Sequence, residues 1–137
     1  MSRLKLDQDM LALASLLEKI TQARVKDCFK DDNLIYFVIA PGDMGRALGK
    51  GGVNIKRLQQ ETGKKIKLIE YQDNVVDFVK NVIYPLKVEE IIEENGAVVL
   101  KDKSKKTKSI IIGREGKNLS LLTRAVKRFF DVTVEVV

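Results

Sequence analysis

Met10, Leu13, Leu17 and Ile20 recur at helical spacing with Leu11 and Leu16 beside them, which predicts an amphipathic helix over residues 7–20. Residues 24–30 alternate in part, through Val25 and Cys28, and read as a strand. The unbroken apolar run from Leu34 to Ala40 is rich in aromatic and β-branched side chains and stops at Pro41-Gly42, the pattern of a buried strand. A short helical turn over 43–48 leads into Gly49-Lys50-Gly51-Gly52. Ile55 and Leu58, with polar residues between them, then fit a helix closed by Gly63 as its C′ glycine. Residues 65–71 alternate imperfectly as a strand.

The same order of signals then begins again. Val75, Val79 and Val82, flanked by Phe78 and Ile83, predict a second amphipathic helix stopped by Pro85. Residues 88–93 and 97–100 read as strands joined by the hairpin signal Asn95-Gly96. A lysine-rich turn from Lys103 runs into Ile110 to Ile112 and Gly113-Arg114-Glu115-Gly116. Leu119, Leu122, Val126 and Phe129 place a helix next, and Val132, Val134 and Val136 a closing strand. This is an internal repeat: Gly49 and Gly52 return as Gly113 and Gly116, 64 positions on, and the same shift carries Leu48 to Ile112, Ile55 to Leu119 and Leu58 to Leu122. The boundary falls at Gln72 to Asn74, dividing the chain into 1–72 and 73–137. Units this small bury little core alone, which predicts that they pack together. So short a linker predicts that they act as one rigid, continuous surface.

Composition narrows the chemistry. The 137 residues include no His, no Trp and one Cys. A structural zinc site needs about four Cys or His ligands, and Cys28 alone cannot supply them. Ser-His and Cys-His nucleophile pairs are excluded as well. No apolar run approaches the roughly 20 residues of a membrane span. Asp7, Asp9 and Glu18 interrupt the N-terminal segment, which reads as an ordinary helix and not as a signal peptide. With one cysteine and no export signal, a cytoplasmic location is expected.

Charge is uneven. Residues 42–67 carry seven basic and two acidic side chains, and residues 101–128 carry ten and two, giving +5 and +8. The chain as a whole is only +6, so the remainder is −7. Two basic windows on an otherwise acidic protein point to a polyanionic partner, against the plainer reading of two solvated helix faces.

Each window holds a glycine loop at a predicted helix start, where a missing Cβ, free N–H groups and the helix dipole can hold a phosphate. The P-loop pattern fails: Gly45 to Gly49 is one residue short, and Gly51 stands where a magnesium-binding hydroxyl is needed. The Rossmann pattern fails at Asn54. What remains is a hydrophobic-Gly-x-x-Gly motif, written Leu48-Gly49-Lys50-Gly51-Gly52-Val53-Asn54-Ile55 and again Ile112-Gly113-Arg114-Glu115-Gly116-Lys117-Asn118-Leu119. This resembles the signature of the KH domain, whose loop clamps the backbone of about four nucleotides of single-stranded nucleic acid. Gly42-Asp43-Met44-Gly45 also matches Gly-x-x-Gly, and reads instead as a turn beginning a short helix.

The element order resembles the type II, prokaryotic variant. Residues 66–71 and 76–88 are similar to the junction between tandem KH domains in the NusA family of transcription factors. The likeness runs over most of the chain from Leu34, and its layout is that of the short archaeal form. The resemblance implies an α+β fold of two tandem type II KH domains, each a small three-stranded sheet covered by helices. It also implies a non-enzymatic protein without cofactor, metal or small-molecule substrate that binds single-stranded RNA in transcription elongation, termination or antitermination. RNA polymerase or other transcription factors would be further partners. Bacterial members add a polymerase-binding domain and an S1 domain that this sequence lacks, which leaves polymerase anchoring unassigned. A ribosome-associated or ribosome-assembly KH protein is the alternative.

Carried over residue by residue, the resemblance puts the backbone of Gly49, Gly51, Gly52, Gly113 and Gly116 near phosphates, with charge from Lys50, Arg114 and Lys117. Its base-binding groove would involve Arg46, Ile55, Lys56, Ile66, Lys67 and Leu68 in the first unit. In the second it would involve Lys108, Ile112, Leu119, Val132 and Thr133. Glu115 opposes an anion, so a weaker second site is expected.

Overall fold

The helical spacing of Met10, Leu13 and Leu17 is realised as α1 (Ser2–Thr21), which buries Leu17 fully. It starts earlier than the apolar periodicity indicates, because residues 2–6 contain no glycine or proline and several good helix formers. It ends where Gln22 turns to φ 63° and donates its N–H to the Glu18 carbonyl at 2.8 Å. The computed structural model describes residues 2–31 and 34–137, with side chains from Met10 onward, and divides into two units, Met1–Tyr71 and Gln72–Val137.

In the first unit, β1 (Val25–Asp31) pairs antiparallel with β2 (Leu34–Ile39), and β2 pairs parallel with β3 (Lys65–Glu70). A parallel pair needs a crossover. It is supplied by α2 (Met44–Leu48), a single 3-10 turn (Lys50–Gly52) and α3 (Val53–Thr62). Because β2 is the central strand, its apolar run is buried on both faces. Ile35, Phe37 and Ile39 face the helices beside their β3 neighbours Ile66 and Leu68, and join Leu17, Ala47 and Leu58 in one core cluster. Gly63 closes α3 at φ 69°. Gly42-Asp43-Met44-Gly45 is a turn leading into α2.

The second unit repeats the crossover. It opens with α4 (Val75–Ile83), capped by the Asn74 side chain, which accepts from the Asp77 N–H. The helix stops before Pro85, whose ring disfavours helical geometry at Tyr84. Strands β4 (Glu90–Glu94) and β5 (Ala97–Lys101) form an antiparallel hairpin around Asn95-Gly96, with φ 51° and 76°. β5 then pairs parallel with β6 (Thr133–Val136). Between them run α5 (Lys105–Ile112), a 3-10 turn (Arg114–Gly116) and α6 (Lys117–Lys127). Phe78 is fully buried, with Phe129 and Phe130 at centroid distances of 5.5 and 5.6 Å.

Two expectations are corrected. The lysine-rich stretch read as a turn is a helix. Ser104 caps it by accepting the Thr107 N–H at 3.1 Å, and Asp102 in turn holds the Ser104 N–H at 2.8 Å. Phe129 lies beyond the end of α6, on the turn that follows Lys127. The chain is therefore α+β, with two three-stranded sheets and helices against them.

Candidate functional site

Both glycine loops have the same backbone skeleton. Gly49 (φ 72°, ψ 170°) and Gly113 (φ 78°, ψ 173°) end α2 and α5 in a region open essentially to glycine alone. The third residue of each loop is left-handed: Gly51 at φ 65°, ψ 19°, and Glu115 at φ 57°, ψ 26°. Gly52 and Gly116, also left-handed, start α3 and α6. The turns close through Gly52 N–H to the Gly49 carbonyl at 3.0 Å and Gly116 N–H to the Gly113 carbonyl at 3.1 Å.

The first glycine of each loop is required for a second reason. Asn54 folds back over Gly49 and donates through Nδ2 to the Arg46 carbonyl at 3.0 Å, and Asn118 does the same over Gly113 to the Ile110 carbonyl at 2.9 Å. A Cβ on Gly49 would lie 2.7 Å from Asn54 Nδ2, and one on Gly113 would lie 2.6 Å from Asn118 Cγ. By contrast, a Cβ on Gly51, Gly52 or Gly116 meets open space. The asparagine thus fills the volume that the glycine vacates and ties the helix before the loop to the helix after it.

The helix starts at the loops differ from those of α4 and α5. α4 and α5 are capped by Asn74 and Ser104, whereas α3 and α6 begin on glycines with no side-chain cap. Val53 and Lys117 donate their N–H groups to the Lys50 and Arg114 carbonyls of the preceding turns, and the positive end of each helix dipole still favours an external anion there. Lys50 and Arg114 are exposed on the loops, and Lys117 is exposed at the first position of α6.

Arg46, on α2, is exposed and lies 3.9 Å from Asp43. Asp43 is buried and accepts the Arg24 backbone N–H at 2.9 Å and the Arg24 Nε at 3.2 Å. The Arg24 N–H, then its guanidinium, hold the Asp43 carboxyl below the ordinary aspartate value, against the opposing effect of burial. The carboxylate thus anchors the start of α2 to the start of β1, which positions the helix that enters the loop.

The remaining candidates separate by face. Ile55 is half-buried against the core cluster, Lys56 beside it is exposed, and Leu119 is half-buried at the matching place on α6. Ile66 and Leu68 lie in the core cluster beneath the helices, paired with Ile35 and Phe37. Lys67 is not brought to the loop. It pairs with Tyr36, so strand alternation puts it on the opposite face of β3, where burial lowers its pKa. Lys108 is half-buried on α5 and Ile112 half-buried at its end; Val132 is half-buried before β6, and Thr133 is exposed at its first residue. Sequence reasoning did not single out Asn54, Asn118 or Asp43, although the asparagines obey the same 64-residue shift as the glycines.

A family model described as KH domain matches residues 13–95, which includes the first loop and ends inside the second unit, before the second loop. A relative described as probable transcription termination protein NusA, from Methanococcus vannielii, is 40% identical over 120 residues, covering 85% of this chain and 69% of the relative. One so described from Halococcus morrhuae is 30% identical over 132 residues, covering 95% of each. A crystal structure described as that of APE1850 matches with TM-score 0.72 and 32% identity, covering 94% of this chain and 97% of that one.

Proposed function

The chain belongs to the KH-domain family and, within it, to the archaeal NusA-type proteins; from that premise we propose that both units are type II KH domains and that the chain is a non-catalytic, single-stranded RNA-binding protein of transcription elongation, termination or antitermination. The observation that carries this reading is the duplicated loop: the same left-handed skeleton, the same asparagine and the same uncapped helix start, each within a basic window. In the first unit the side-chain-free Gly49, Gly51 and Gly52 let phosphates approach the loop backbone, with Lys50, Arg46 and Lys56 neutralising the strand. In the second, Gly113, Glu115 and Gly116 form the loop, and Arg114, Lys117 and Lys108 supply charge. Ile55 and Leu119 border the groove as the exposed edge of the core. The working location is the cytoplasm, where nascent transcripts are available.

The test is a binding titration. Single-stranded RNA binds better than a matched hairpin stem, because the loop follows one backbone and the groove needs unpaired bases. With about four phosphates neutralised at a loop, the slope of log affinity against log salt is roughly −2.8, from about −0.7 per phosphate. Lys50→Asp with Gly51→Asp abolishes binding at the first loop. Stability changes by about 1–2 kcal/mol at most, since a Cβ at Gly51 meets open space and only the left-handed backbone is strained. Equal affinity for the stem, or a salt-independent affinity, refutes the reading. A strand that reaches both loops gains effective concentration and binds more tightly than a four-nucleotide fragment.

A further inference from the structure

The lysines at the start of α5 are in the wrong place for the helix. Lys105 and Lys106 occupy its first two positions, Lys103 lies just before the Ser104 cap, and the first turn contains no acidic residue. Cations at the positive end of a helix dipole are unfavourable. None of the ion pairs among the described residues involves these lysines, and all three are exposed. Carboxylates ease this at the backbone, where Asp102 accepts the Ser104 N–H at 2.8 Å and Glu89 the Lys103 N–H at 3.1 Å, but the exposed ammonium groups themselves stand in solvent, which suits an anionic partner. In the first unit the corresponding positions are Pro41 and Gly42, so the feature is not inherited from the repeat.

Position along the helix says which partner. Lys106 and Ile110 stand four residues apart on α5, so its exposed stripe runs from the lysines toward the second loop, which begins at Gly113. At 1.5 Å per residue the lysines lie about 10 Å upstream of Gly113, a reach of a few nucleotides. The second loop also carries Glu115 where the first has Gly51, so its own positive charge is partly cancelled.

We propose that Lys103, Lys105 and Lys106 form a second phosphate-contact patch, on which the RNA strand held at Gly113–Gly116 continues along the exposed face of α5. The patch supplies the charge that Glu115 removes from the loop. The inference rests on the reading of the loops as RNA clamps, and the experiment separates the two.

In the full chain, Lys50→Asp with Gly51→Asp silences the first loop, so that binding reports on the second. Single-stranded RNAs of four and about eight nucleotides are titrated over a range of salt. Adding Lys105→Gln and Lys106→Gln makes the salt slope of the longer RNA shallower by about 1.4, from roughly 0.7 per lost phosphate contact. The four-nucleotide RNA is unaffected, and the melting temperature does not fall, because unfavourable cations have left the helix start. Lys105→Glu with Lys106→Glu weakens the longer RNA further while raising helix stability, which excludes misfolding as the cause. An unchanged slope for the longer RNA overturns the proposal, as does an equal loss on both lengths or no binding by the silenced chain. If Arg114→Asp binds like its parent, the clamp reading itself has failed, whatever the lysines do.

Discussion

Replacing Gly49 by alanine tests the loop skeleton without any assumption about the ligand. The new Cβ enters a backbone region, φ 72° and ψ 170°, that side chains avoid at a cost of about 1–3 kcal/mol. It also stands 2.7 Å from Asn54 Nδ2 and 2.9 Å from Asn54 Cγ, so the carboxamide must leave. Losing its bond to the Arg46 carbonyl removes about 0.5–1.5 kcal/mol more. Gly49→Ala therefore destabilises by roughly 2–4 kcal/mol. Gly52→Ala, left-handed at φ 74° but facing open space, costs only about 1–2 kcal/mol.

Asn54→Ala alone costs about 1 kcal/mol, since its bond is exposed. The double variant decides whether the two residues act as one device. With Asn54 gone, the alanine at position 49 meets less obstruction and the hydrogen bond is lost only once, so the combined cost falls short of the sum by about 1 kcal/mol. Urea melts followed by circular dichroism read all four variants. Fully additive costs, or Gly49→Ala no worse than Gly52→Ala, would refute the argument that the asparagine occupies the glycine's missing volume. Gly113 and Asn118 repeat the cycle in the second unit and should give the same coupling.

Glu115 separates charge from strain: Glu115→Gln raises RNA affinity at the second loop about two- to threefold, the Coulomb penalty of one carboxylate about 6 Å from a phosphate in water. Glu115→Gly gives the same gain, with stability rising by at most about 1 kcal/mol because relieved left-handed strain is partly offset by glycine's unfolded-state entropy. Titration and melting of the two variants check this, and unchanged affinity in both would remove Glu115 from the anion site. Asp43→Asn tests the anchor beneath α2. The folded carboxyl titrates below its unfolded value, so its stabilisation is complete above the unfolded pKa and is lost as pH falls through the folded one. The gap in melting temperature between the parent and Asp43→Asn should thus be wide near neutral pH and narrow as the pH falls through the lowered folded value, whereas a pH-independent gap would mean that the ionised form carries no advantage.

What was legible in the sequence was what periodicity and punctuation carry. The six strands, the apolar stripes of α3, α4 and α6, and the closures at Gly63 and Asn95-Gly96 all leave a local pattern of apolar, polar and turn residues in the sequence, even where the strands themselves pair over long range. Three features did not. The face of β3 was misassigned in part, because Ile66, Lys67 and Leu68 belong to one run, and only the register with Ile35, Tyr36 and Phe37 tells which side each takes. The start of α5 was hidden by lysine density that resembles a loop, and its signal was the Ser104 cap. Asp43 was unremarkable as a turn residue until Arg24, 19 positions earlier, came to its carboxylate.

The asparagines are the more instructive omission. They occur in both copies of the motif and were written out with it, yet the glycines drew the attention because glycine has a conformational reason to recur. The structure gives the asparagine an equal reason. A first glycine with no side chain leaves a gap between the helix that ends and the helix that begins, and the residue two positions after the second glycine fills it and also satisfies a carbonyl left over by the ending helix. Glycine and asparagine are therefore two halves of one packing solution. The central positions of the loop are free of that constraint, so Lys50 with Gly51 and Arg114 with Glu115 can differ in charge on the same skeleton. The repeat keeps the loop geometry and one loop cation, Lys50 or Arg114, while the remaining positive charge around each loop comes from different positions, Arg46 in the first unit and Lys117 with the start of α5 in the second.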